Sequence, residues 1–134
     1  MLHLNVWAIV VATVVVFVLS SVYYIVLSKQ YVQLRGLDAS AAADAAKPQP
    51  VKMVIELVRS LVLATVVAGL ASLVGVSGFG GALLLGIVLW IGFPLMILSG
   101  SILWDQVPWK LAAIHVGDWL IKLLVISLIV GLWR

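Results

Sequence analysis

Five ionisable side chains sit in stretches otherwise built of Leu, Ile, Val and Ala: Glu56 and Arg59 in VIELVR, and His115, Asp118 and Lys122 in HVGDWLIK. At about 100° per residue, His115, Asp118 and Lys122 fall within roughly 60° of one another on a helix surface. Asp118 stands four residues before Lys122, the favoured order for an intrahelical ion pair, and Glu56 and Arg59 share a face at i and i+3. Such a set could relay a proton, hold a ligand or ion, or only neutralise itself. Pairing is the expected role, because buried ion pairs act in specificity more than in catalysis. A ligand or proton site is the alternative that any ionisable group inside a membrane raises. No metal site is expected from Glu56, His115 and Asp118, since two neighbouring cations oppose a divalent ion. Hydrolytic chemistry is disfavoured as well: His115 and Asp118 are three apart on one helix and no serine has a nucleophile-like context. GVSGFGG lacks the spacing and the lysine of a phosphate-binding loop, so no cofactor is expected there and it reads as a turn.

These residues must be positioned by helices made for lipid. The chain has 134 residues, 65% hydrophobic and 10% charged, against about half apolar and about a quarter charged in soluble domains. The length suits one domain over residues 1–134. Cysteine is absent, which removes disulfides, thiolate metal sites and thiol nucleophiles. The basic residues are scattered, where a nucleic-acid partner would want a clustered stripe. Runs of about 20 apolar residues mark four spans, at 4–27, 53–74, 81–103 and 111–133. The predicted fold is an all-α integral membrane four-helix bundle with short loops. Within loop 28–52 the helical pattern continues through SKQYVQLR to a cap at Gly36. Asp38 then suits the N-cap of a short alanine-rich helix, and Lys47-Pro48-Gln49-Pro50 suits an extended linker. The first span lacks a basic lead-in and a nearby small-residue cleavage site, and is expected to be a retained helix.

Lys29, Arg35, Lys47, Lys52 and Lys110 flank the first and third loops, whereas the other side offers Arg134. The positive-inside rule puts loops 28–52 and 104–110 in the cytoplasm and both termini outside. Trp7, Phe79 and Trp133 would form one interfacial belt, and Tyr23, Tyr24, Tyr31, Trp104 and Trp109 the other. Lys122 falls near the middle of its span. Its two charges cost about 5–7 kcal/mol on the insertion scale, against about 4–8 kcal/mol favourable from thirteen Leu, Ile and Val residues. That helix is marginal alone and needs partners for its polar face. Glu56 and Asp118 are expected to neutralise Arg59 and Lys122, with His115 beside them, and Ser20, Ser21, Tyr23 and Tyr24 reach a comparable depth from which they could complete the hydrogen bonds of the cluster.

Small residues four apart, Ala64 and Ala68, Ala68 and Ser72, Ala82 and Gly86, allow close helix approach. With the second and third spans joined as a hairpin, packing within the chain is the expected use, and dimer contacts come second. Pro94, beside Gly92, should kink the third span and free the carbonyl of Trp90. Trp90 and Trp119 lie inside their spans and want acceptors for their indole N–H groups, that freed carbonyl being one.

The run LLLGIVLWIGFPLMILSGSILWDQVPWKLAAIHVGDWLIKLLVISLIVGLW, with Trp-x-Gly-Phe at Trp90 to Phe93, resembles the third and fourth spans of the domain of unknown function 1761 family. SVYYIVLSKQYVQLRGLD is similar to that family's aromatic-rich exit from the first helix. Here Tyr23-Tyr24 replaces the usual Trp-Tyr and no proline follows, and Asp118 stands where the family often has a small or neutral polar residue. The resemblance implies a four-helix membrane protein and brings no activity with it.

The expected function is that of a non-enzymatic membrane protein, packed through the charge-paired cluster and acting as a homo-oligomer or a subunit of a larger membrane complex. Lipid and such a partner are the expected contacts. The alternative is a small transporter or proton-coupled carrier whose Glu56, His115, Asp118 and Lys122 line a wet pocket near Pro94. A membrane enzyme acting on lipid comes third, with His115 alone to speak for it.

Overall fold

The computed structural model describes residues 4–35 and 50–133, which fold as helices joined by short turns. In chain order these are α1 (Val6–Val26), α2 (Ser28–Arg35), α3 (Pro50–Val74), α4 (Gly78–Trp90), a π-helical turn (Ile91–Leu95), α5 (Met96–Trp104) and α6 (Trp109–Leu132). Four helical segments are long and apolar enough to cross a membrane: α1, α3, the continuous 78–104 segment and α6. The proposed cap at Gly36, the Asp38 helix and the linker residues 47–49 lie outside the described residues. Pro50 belongs to α3 and not to an extended linker: a proline is tolerated in the first helical turn, where its missing N–H has no intrahelical acceptor to lose.

Each end of these helices has a local cause. Asn5 caps α1 by accepting from the Ala8 amide at 3.2 Å. α1 and α2 are separated at Leu27 alone, whose amide still donates to Tyr23 while its carbonyl accepts from Tyr31. α3 stops at Gly75, which takes φ +76°. Its amide bonds the Ser72 carbonyl and the next amide, of Val76, reaches back to Ala71 at 2.9 Å, the paired closure that a left-handed glycine permits. The turn is shorter than GVSGFGG implies. Helix resumes at Gly78, so Gly80 and Gly81 lie in the first turn of α4.

In the third span Pro94 lacks an amide and its ring would strike the carbonyl four residues back. The helix widens there into the π-turn, the local repair that absorbs such a break. Pro94 faces inward and is buried, whereas Gly92 faces outward with open space beyond it.

α6 is the centre of the molecule and packs against α1, α3 and α4. α1 runs antiparallel to it: the Asn5 side chain reaches the Trp133 carbonyl at one end, and Tyr23 reaches the Ile114 carbonyl at the other. α1 turns one stripe toward the core, formed by Ala8, Ile9, Ala12, Thr13, Val16 and Ser20. The opposite face (Val10, Val14, Val18, Val22) is exposed, as suits contact with lipid.

α3 and α4 barely touch despite the short turn between them, because α6 occupies the space both face. The small residues therefore pack within the chain, mainly on α6 and α1. Ala64 and Ala68 join the core with Val16, Val67 and Ile126, and Ser72 is half-buried. Ala82 and Gly86 seat α4 on α6. A Cβ on Gly86 would lie 3.1 Å from the Leu123 carbonyl oxygen and 3.2 Å from the Leu124 Cα, while one on Gly131 would lie 2.8 Å from the Ala82 Cβ. Since the obstacle at Gly86 is backbone, Gly86→Ala must push α4 off α6. It is expected to lower stability by about 1–3 kcal/mol in detergent unfolding. Gly100→Ala, with nothing within 4 Å of the added carbon, should be neutral or stabilising by up to about 1 kcal/mol.

Candidate functional site

The ionisable residues of α3 and α6 form one chain of contacts that runs from the core to the surface. Asp118 and Lys122, one helical turn apart on the central helix, pair at 2.9 Å. The Lys122 ammonium also lies 3.6 Å from Glu56 Oε1 of the neighbouring α3, and Glu56 Oε2 accepts from the Arg59 guanidinium at 2.8 Å. Side-chain exposure climbs along this chain, from 3% at Asp118 and 9% at Lys122 to 36% at Glu56 and 60% at Arg59. The other oxygen of Asp118 accepts from the Ser20 hydroxyl of α1 at 2.7 Å. Lys122 Nζ further lies 4.9 Å from the ring centre of Trp119, whose π-face attracts a cation. Every buried charge in the chain thus meets an opposite charge, and three helices contribute to it.

His115 contacts the first two helices through its ring. Its Nδ1 shares a 2.7 Å hydrogen bond with the Tyr24 hydroxyl, and Tyr24 and Tyr31 pack on its ring with centroids 5.8 Å away. Tyr23 meets Tyr24 edge-on at 5.4 Å and donates to the Ile114 carbonyl at 2.7 Å. Tyr23 and Tyr24 therefore turn their hydroxyls onto α6, and Tyr24 supplies the hydrogen bond to His115. Of the residues at comparable depth, Ser20 joins the chain, whereas Ser21 bonds the Phe17 carbonyl of its own helix.

Gly117 makes the Tyr23 contact possible. A Cβ there would collide with the Tyr23 hydroxyl oxygen and come 3.4 Å from its Cζ. Sequence reasoning gave that glycine no role, although its place between His115 and Asp118 was the available signal. Trp90 is likewise held differently from the expectation: its indole donates to the Val116 carbonyl of α6 at 2.9 Å, not to the carbonyl freed by Pro94. The acceptor is better placed because α4 and α6 pack face to face at this level.

Among the described residues a shallow apolar groove lies at the far end of α6, away from this chain, lined by Val11, Leu128, Ile129, Leu132 and Trp133. Asp118 and Lys122 are instead enclosed by protein. The arrangement can hold three helices in one register, and it can carry charge compensation from the core to the surface.

Apolar spans of this length, packed round a central helix with its polar side turned inward, define an all-α, multi-pass membrane protein. The chain belongs to the family described as protein of unknown function (DUF1761), whose family model matches residues 7–131, nearly its whole length. No curated protein and no solved structure matches it.

The seat of Tyr23 can be tested by a double-mutant cycle. Tyr23→Phe removes one hydrogen bond and should cost about 0.5–1.5 kcal/mol. Gly117→Ala should cost about 1–3 kcal/mol in the parent protein through overpacking. Its effect should shrink in the Tyr23→Phe background, because the atom it strikes has gone; chemical denaturation of all four proteins in one detergent reads the coupling.

Proposed function

We propose that this chain is a non-enzymatic membrane protein whose intramembrane ion chain locks α1, α3 and α6 together, leaving the outward faces for assembly. The observation that carries this reading is the closed valence of the buried pair. Asp118 spends one oxygen on Lys122 and the other on Ser20, and Lys122 meets two carboxylates and an aromatic face. A site kept for a ligand would leave a polar atom of the pair facing a recess.

The assembly is a homo-oligomer or a larger membrane complex. The third span supports it, being the least covered by the rest of the chain and carrying Gly92, Ser99 and Gly100 away from α6 or toward open space. The end that holds α2 and the turn before α6 lies in the cytoplasm, as the excess of Lys29, Arg35, Lys52 and Lys110 there favours, and both termini lie outside.

A second reading, a proton-coupled carrier, draws on the graded exposure from Arg59 inward to Asp118. One pair of substitutions separates the two. If the chain is a lock, Asp118→Asn and Lys122→Met should each destabilise the protein by about 3–5 kcal/mol, since each strands a buried charge. The double variant should regain most of that loss. If it is a carrier, Asp118→Asn should leave folding intact and stop a proton-driven flux in proteoliposomes. The assembly has its own measurement: sizing in mild detergent and cross-linking in membranes should both find more than one copy, and an isolated monomer in both would refute it.

A further inference from the structure

We propose that Arg59 and Lys52 form a binding site for the phosphate of an anionic lipid, on the face of α3 that looks away from the core. This rests on the bilayer placement of α3 and not on the assembly reading. Glu56 is one carboxylate shared between two cations, Lys122 at 3.6 Å and Arg59 at 2.8 Å. Among the described residues Glu56 is the one ion-pair partner of Arg59, which uses a single Nη1 contact. A guanidinium has five N–H donors in a fork suited to phosphate, so most of its donors remain for another acceptor.

Lys52 lies four residues before Glu56 and seven before Arg59, is exposed, and has no ion pair among the described residues. At about 100° per residue, Lys52 and Arg59 are both displaced by about 40–60° to the same flank of Glu56. They also fall within about 20° of each other, two turns apart. With Asp118 and Lys122 cancelling, and Glu56 cancelling Arg59, Lys52 leaves this flank with one uncompensated positive charge.

Depth supplies the second argument. Arg59 is six residues past the start of the apolar span at Met53, roughly 9 Å along the axis at about 1.5 Å per residue, where the hydrocarbon of a leaflet is about 15 Å thick. A largely exposed guanidinium at that depth has no water beside it and must reach one or a phosphate. Helix side chains lean toward the N-terminus, which for α3 is the near interface. Arg59 therefore reaches up toward Lys52 and the headgroups, and a phosphate between them would meet both cations.

Native mass spectrometry of the purified protein, titrated with phosphatidylglycerol or phosphatidylcholine, tests this. Retention of phosphatidylglycerol over phosphatidylcholine should fall about fivefold in Lys52→Gln and at least that much in Arg59→Gln, from about 1 kcal/mol per basic residue near an anionic surface. Lys110→Gln, an exposed basic residue at the same end beside Trp109, should leave it unchanged. Excess inorganic phosphate should not displace the lipid; displacement would mean a free-anion site and would overturn the lipid assignment. Equal retention of the two lipids by the parent protein, or an unchanged preference in Arg59→Gln, would overturn it as well. Should Arg59→Gln fail to fold, Lys52→Gln decides, and an undiminished preference there counts against the site. None of these outcomes depends on oligomeric state or on the stability of the Asp118–Lys122 pair.

Discussion

The pairing of Asp118 with Lys122 constrains everything around it. Two charges buried in a medium of low dielectric are tolerable only together and only with their remaining hydrogen-bonding capacity filled. Their spacing on α6 lets the pair form within one helix, but a carboxylate has two oxygens and an ammonium three protons. Filling those requires a hydroxyl from α1 and a carboxylate from α3. Packing and polar contacts act together on how these helices sit. The inward stripe of α1 is mostly small, with Ala8, Ala12, Thr13 and Ser20 beside Ile9 and Val16, so a rotation by one residue would already press larger side chains into the core. It would move Ser20 by about 100° and strand the Asp118 oxygen. Register in this bundle is thus held by polar contacts together with the close approach of small residues.

The same constraint puts the least apolar span at the centre. α6 has the lowest mean hydropathy of the four, 1.9, and the largest share of its apolar window buried, 39%. The 78–104 segment, at 2.4, has 17% buried and sits at the periphery. In water the most apolar segment would go to the centre; in lipid the segment least suited to hydrocarbon goes there. The aromatic residues follow suit. Trp90 sends its indole to a carbonyl of α6, and Tyr23 and Tyr24 turn their hydroxyls onto the same helix. Each of these polar tips would otherwise lie unsatisfied at a depth where water is scarce.

What the sequence made legible divides along physical lines. Span number, approximate ends and the family resemblance could be read, because hydrophobic length is a property of one segment at a time. So could the local spacings of Glu56 with Arg59 and Asp118 with Lys122, which a helix fixes by geometry. Neighbour relations could not be read. Lipid-facing and protein-facing residues are both Leu, Ile, Val and Ala here, so no amphipathic stripe says which face meets which helix. That is why α6, the helix on which Ala82 and Gly86 pack, could not be named beforehand. Gly117 was silent for a related reason. A glycine in an apolar helix has several uses, and only the approach of a hydroxyl from α1 selects one. Helix boundaries at Pro50 and Gly78 shifted because proline and glycine are tolerated in a first helical turn, where the orphan amides make them harmless.

The order of assembly follows from which contacts are local. A helix entering the membrane with two isolated mid-span charges would sit close to the limit of what its apolar residues can support. With Asp118 already paired to Lys122 one turn away, it enters as a neutral segment whose polar atoms are half satisfied. α3 is in the same position, its Glu56 held by Arg59 three residues on. The ionic contact that joins the two spans is that of the other oxygen of Glu56 with Lys122. That contact is the longest in the chain, 3.6 Å against 2.8 and 2.9 Å. A weak link between two self-neutralised helices allows α3 and α6 to find their register without trapping a charge in hydrocarbon on the way. The hydroxyl of Ser20, neutral and short, then closes the set from α1 at no electrostatic cost to that helix if it arrives first.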